Sequence, residues 1–96
     1  MSKKIETSAI TAGRPAVTPD APLNPSIDLT STFHSGGPIG YGRYGNQTWT
    51  SLEDAISELE GGQTLTFSSG MAAISAVFSI LPIGAPIVAS NQGYSG

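Results

Sequence analysis

The segment Ser68-Ser69-Gly70-Met71 is where this sequence could hold an anion. Thr66-Phe67 before it reads as the end of a short apolar strand, and Ala72-Ala73-Ile74 after it opens a helix. The first N–H groups of a helix have no partner inside it and lie at the positive end of its dipole. A strand–turn–helix with glycine at the turn therefore suits a phosphate. Glycine also puts no side chain between the ligand and the backbone. Upstream, Tyr41-Gly42-Arg43-Tyr44-Gly45-Asn46 sets a phenol and a guanidinium at i and i+2. In an extended segment these face one side. An arginine fork with a tyrosine hydroxyl suits a phosphate dianion.

Other residues carry less chemistry. Tyr94 follows an apolar segment, Ile87-Val88-Ala89, and so falls where α/β proteins bind ligands, beyond a strand's carboxyl end. Gly40-Tyr41-Gly42-Arg43-Tyr44-Gly45 matches G-x-G-x-x-G, but the dinucleotide motif needs a strand directly before it and a helix opening within it. His34-Ser35-Gly36-Gly37-Pro38 precedes it instead, which is a turn, so no nicotinamide or flavin site is expected. His34 is the single histidine and has no metal-type neighbour in sequence. No metal site is expected. Ser68 and Ser69 lack the G-x-S-x-G context of a hydrolase. Glu53, Asp54, Glu58 and Glu60 read as an exposed helix face.

The elements that must position these residues follow from the hydrophobic period. Leu52, Ile56 and Leu59 make one stripe, predicting a helix over 51–60. Thr50 caps it with Glu53 in a capping box, Trp49 packs ahead of it, and Gly61-Gly62 ends it. Gln63 to Phe67 is a strand candidate. Gly70 to Leu81 is a helix apolar nearly all round, hence buried on most sides, and stopped by Pro82 and Gly84. Ile87-Val88-Ala89 is a second strand. Strand–helix–strand at this spacing implies a right-handed parallel βαβ unit.

The first forty residues hold five of the seven prolines and show neither a helical nor a strand period. They read as an extended arm with no core. Two parts are expected: an arm over 1–47, and the incomplete start of a larger domain over 48–96. One βαβ unit cannot cover both its faces. The 96 residues include no cysteine and no run long enough to span a membrane. A cytoplasmic protein is expected. A net charge of −3 with four Lys or Arg argues against a nucleic-acid partner.

Taken in order, Tyr41-Gly42-Arg43-Tyr44-Gly45-Asn46-Gln47-Thr48, Leu52-Glu53, Leu59-Glu60-Gly61-Gly62, Ser68-Ser69-Gly70-Met71-Ala72-Ala73, Gly84 and Tyr94 resemble the amino-terminal part of the trans-sulfuration (Cys/Met metabolism) enzymes. Ile27-Asp28-Leu29-Thr30-Ser31-Thr32-Phe33 resembles the family's approach to that motif. The likeness spans about residues 10 to 96. Gln47 stands where the family usually has proline. The resemblance implies an α/β fold of the fold-type I pyridoxal-phosphate (aspartate aminotransferase-like) class, running as extended arm, helix, then a βαβ unit of a parallel sheet. It implies pyridoxal 5'-phosphate as cofactor, with the N–H groups of Gly70 and Met71 on its phosphate. Tyr41 and Arg43 would reach the phosphate of a neighbouring subunit's cofactor. Tyr94 would stack on the pyridine ring and take part in proton transfer. The parent would be a homo-oligomer, a dimer of dimers, acting on a sulfur amino acid.

The family's reaction needs a lysine to hold the cofactor aldehyde and an acid on the pyridine nitrogen. The two lysines, Lys3 and Lys4, lie in a polar tail, and Asp20, Asp28 and Asp54 are poorly set as ring partners. The chain is therefore expected to be an amino-terminal piece, inactive alone. Its parent would carry out elimination or replacement at the β or γ carbon of cystathionine or an acylated homoserine, of cystathionine γ-synthase or γ-lyase type. The alternative is a non-catalytic anion-binding or interaction module completed by a partner.

Overall fold

A computed structural model describes residues 3–94 in two units that divide after Thr66. The first unit holds two helices. Helix α1 spans Ile5–Thr11 and α2 spans Gln47–Glu60. The arm is thus not extended throughout, as its lack of period predicts. Residues 5–11 contain no proline or glycine, and the turn packs on α2, which supplies the tertiary contact a short helix needs. Lys3 Nζ approaches Glu58 Oε1 at 3.9 Å, both exposed. The arm then leaves α1 at Gly13. Its φ of +71° is left-handed, and a Cβ there would run into the Ser51 carbonyl oxygen. Only glycine allows the chain to cross α2 this closely.

Helix α2 begins earlier than the apolar stripe predicts. Its cap is Asn46, not Thr50, and the Asn46 side chain accepts the Thr48 N–H. Asparagine in extended geometry is among the best N-caps. Nothing from Gln47 to Thr50 opposes helix once that cap is set. Trp49 consequently lies within the helix rather than ahead of it. Gly61, left-handed at φ 73°, closes the helix as expected.

No strand forms among the described residues. The nearest thing is an isolated antiparallel bridge between Thr32 and Tyr41. The expected strands at 63–67 and 87–89 are therefore absent, and with them the βαβ unit. A strand's amides need a neighbouring strand. Residues 63–66 find side chains instead: Thr64 N–H donates to Ser57 Oγ at 2.9 Å, and Thr66 N–H to Glu53 Oε1 at 2.9 Å.

The second unit, from Phe67 on, holds helix α3, Gly70–Ser79. Ser69 caps it through Oγ to the Ala72 N–H. It starts at the expected residue and ends two short of Leu81. No residue of α3 is buried, against the expectation of an enclosed helix; Ile74 is 49% and Val77 58% exposed. Its surface is apolar on all sides, and its own unit contains no other helix or strand to cover it. Among the described residues no large apolar side chain is fully buried, so neither unit has a core of its own.

Candidate functional site

Tyr41 and Arg43 sit on a turn rather than on an extended run. The Tyr44 N–H donates to the Tyr41 carbonyl at 2.9 Å. They nonetheless share a side. The Arg43 guanidinium carbon lies 5.4 Å from the Tyr41 ring centroid, a cation–π contact, and Tyr44 meets Tyr41 edge-on at 6.4 Å. Both side chains remain exposed, with donors open to a ligand.

This turn is held from below by an upstream segment. Gly42 N–H donates to the Ser31 carbonyl at 2.6 Å, and Phe33 N–H to the Gly40 carbonyl at 3.3 Å. A Cβ on Gly42 would come within 2.9 Å of Ser31 Cα, so only glycine permits the approach. Farther along, Asn46 Nδ2 donates to the Asp28 carbonyl at 3.2 Å, while Thr48 Oγ1 accepts the Asp28 N–H at 2.8 Å. Asn46 is 6% exposed. Sequence reasoning missed this residue. Its signal was an asparagine just ahead of a helix, the commonest capping chemistry.

The second phosphate-type feature belongs to the second unit. At the start of α3 the Ala72 N–H is taken by Ser69 Oγ and the Ala73 N–H by the Ser69 carbonyl. Among the described residues the N–H groups of Gly70 and Met71 have no acceptor. The space before Gly70 is open: a Cβ there would meet nothing within 4 Å. Two free donors at a capped helix start are the kind of group that binds a phosphate. Tyr94 is 96% exposed, in a segment that is not the end of a strand. His34 is exposed just ahead of the turn at 35–36, and among the described residues no cluster of His, Asp or Glu could hold a metal.

Glu53 departs from its expected role. Its carboxylate is not merely solvated; it accepts both the Thr66 N–H and the Thr66 hydroxyl, the latter at 2.8 Å. These two bonds, the backbone one foremost, hold its pKa below the usual carboxylate value against a small opposing cost of desolvation.

The family model for Cys/Met metabolism PLP-dependent enzymes matches residues 6–96. The chain belongs to that family, whose cofactor is pyridoxal phosphate. The family carries the fold-type I class expected from the sequence, although its sheet is not formed among the described residues. A Streptomyces coelicolor protein provisionally named as a cystathionine gamma-lyase is 45% identical over 98 residues, covering 92% of this chain and 25% of that protein. The cystathionine beta-lyase MetC of Bacillus subtilis is 42% identical over 76 residues, covering 73% of this chain and 20% of that protein. The cystathionine gamma-lyase of Homo sapiens is 36% identical over 78 residues, covering 75% and 19%. The chain thus spans about a quarter of the length of its relatives or less. No solved structure matches it significantly.

Proposed function

We propose that this chain supplies the phosphate-binding and ring-facing residues of a cytoplasmic pyridoxal-phosphate enzyme of sulfur amino-acid metabolism. The reaction is elimination or replacement at the β or γ carbon of a cystathionine or acyl-homoserine-type substrate. The relatives' names, cystathionine gamma-lyase and beta-lyase, favour the lyase direction. When bound, the cofactor supplies an electron sink for the substrate's α-carbon chemistry. Gly70 and Met71 donate their N–H groups to its phosphate. Arg43, steadied by the Tyr41 ring, adds a charged donor to the phosphate of an adjacent subunit in a homotetramer. Tyr94 would stack on the pyridine ring of the bound cofactor and take part in proton transfer. Neither lysine of this chain, Lys3 nor Lys4, is set to bond the aldehyde.

The observation that carries this reading is the pair of open N–H donors at the start of α3. The test is equilibrium binding of pyridoxal phosphate and of pyridoxal, followed by quenching of the single tryptophan, Trp49. The phosphate form should bind more tightly, and Arg43→Ala and Gly70→Pro should each weaken it. Mixing the two variant chains distinguishes the subunit arrangement. With Arg43 acting in trans, one site of a mixed dimer has both groups and the other neither, so part of the wild-type affinity returns. No recovery in proven mixed dimers assigns Arg43 to its own subunit. Equal binding of the two ligands overturns the phosphate reading.

A further inference from the structure

We propose that Asn46 and Thr48 are positioning residues that clamp the Asp28 backbone and thereby set Arg43 for a phosphate. The inference rests on the reading of Arg43 as a phosphate donor given above.

The geometry is a two-point splint. Gly42 is fixed to the Ser31 carbonyl, and Asn46 to the Asp28 carbonyl. Both anchor points lie on the short segment 28–31. Arg43, Tyr44 and Gly45 span the gap between them. Fixing both ends of so short a span leaves its backbone few conformations to lose on binding. Asp28 is gripped at both its backbone groups, its carbonyl by Asn46 Nδ2 and its N–H by Thr48 Oγ1. Its side chain takes no part in these bonds.

Asn46 does this with an amide bonded at both its oxygen and its nitrogen. Its Oδ1 accepts the Thr48 N–H at 2.8 Å and caps α2, while its Nδ2 holds Asp28. The same residue therefore starts the helix and ends the splint. A nearly buried asparagine with both ends bonded has one orientation, and it transfers the rigidity of α2 to the turn.

The two jobs separate by substitution. Asn46→Asp keeps an acceptor for the Thr48 N–H but sets a carboxylate against the Asp28 carbonyl. Thr48→Val keeps the β-branched shape and its own N–H, so the cap survives, but loses the acceptor for Asp28. Asp28→Ala keeps both backbone groups and serves as the control.

The test is NMR of the full chain titrated with inorganic phosphate. In the wild-type chain the Tyr41 ring should shift the Arg43 side-chain protons upfield, and phosphate should perturb Arg43 together with the Gly70 and Met71 amides. In Asn46→Asp and Thr48→Val the Arg43 ring shift should collapse, and the Arg43 response to phosphate should weaken about fivefold or more, as a charge-assisted bond loses its geometry. The Gly70 and Met71 response and the amides of α2 should stay as they are, and Asp28→Ala should match wild type. An unchanged Arg43 in both variants overturns the proposal, as does a wild-type chain with no ring shift. If Asn46→Asp melts α2, Thr48→Val decides, because its cap is untouched. If phosphate leaves wild-type Arg43 unmoved, the phosphate reading fails by itself; the splint then stands or falls on whether the ring shift is lost in the variants.

Discussion

Single atoms decide most of what this chain can do. Gly42 approaches Ser31 so closely that any side chain displaces one backbone from the other. Gly42→Ala should therefore open the pairing of 31–33 with 40–42, read as loss of protection of the Gly42 and Phe33 amides in hydrogen exchange. Gly70→Pro tests the opposite kind of requirement. Proline is tolerated at the first helical position, and Ser69 already has the extended geometry that a following proline prefers. The variant should keep α3, lose one N–H donor, and bind pyridoxal phosphate about tenfold less well, as expected for one charge-assisted bond. Unchanged affinity would remove Gly70 from the site. Glu53 gives a pH signature. Its folded pKa is depressed, so its two bonds to Thr66 contribute stability that is present above the ordinary carboxylate value and lost as pH falls through the lower folded value. Acidification below that range should free Thr66, seen as faster exchange of its amide, and Glu53→Gln should flatten the profile.

At the scale of elements, caps matter more than propensity. Helix α2 begins where Asn46 can accept an amide, four residues ahead of the point its apolar stripe suggests. Asn46→Ala should cost about 0.5–2 kcal/mol of helix stability. Circular dichroism should show α2 shortened from its amino end. Ser69 plays the matching part for α3: its Oγ accepts the Ala72 N–H, while the two residues before Ala72, at the start of the helix, have no intrahelical acceptor. Residues 63–66 illustrate the reverse case. Their sequence has strand chemistry, yet side chains of α2 take the Thr64 and Thr66 amides in place of a neighbouring strand.

At the scale of the whole molecule the defining property is unsatisfied apolar surface. Leu52, Phe67, Ile74, Phe78, Ile87 and Val88 are all exposed by more than a third, and no large apolar residue is fully buried among the described residues. Hydrophobic burial is the main favourable term in folding, and ordering the backbone opposes it by about 1–2 kcal/mol per residue. The isolated chain should therefore melt over a broad range without a two-state transition, and bind a hydrophobic dye. A sharp monomeric transition in calorimetry would contradict this.

What the sequence determined is local. The glycine-led start of α3, its serine cap, the left-handed end of α2 and the Tyr41–Arg43 pairing all depend on residues near one another in the chain. The ordered motifs also sufficed to assign the family, now matched over residues 6–96. The misreadings concern partners distant in sequence. Helix α1 forms in a segment without period because α2 lies beside it. Glu53, read as a solvated acid, finds Thr66; Asn46, read only as one letter of the motif after Arg43, finds Asp28. The expected strands fail for the same reason, since a strand's stability resides in its neighbour and not in its own residues. Periodicity records which face of a segment is apolar. Only the tertiary structure decides what, if anything, that face and its amides meet.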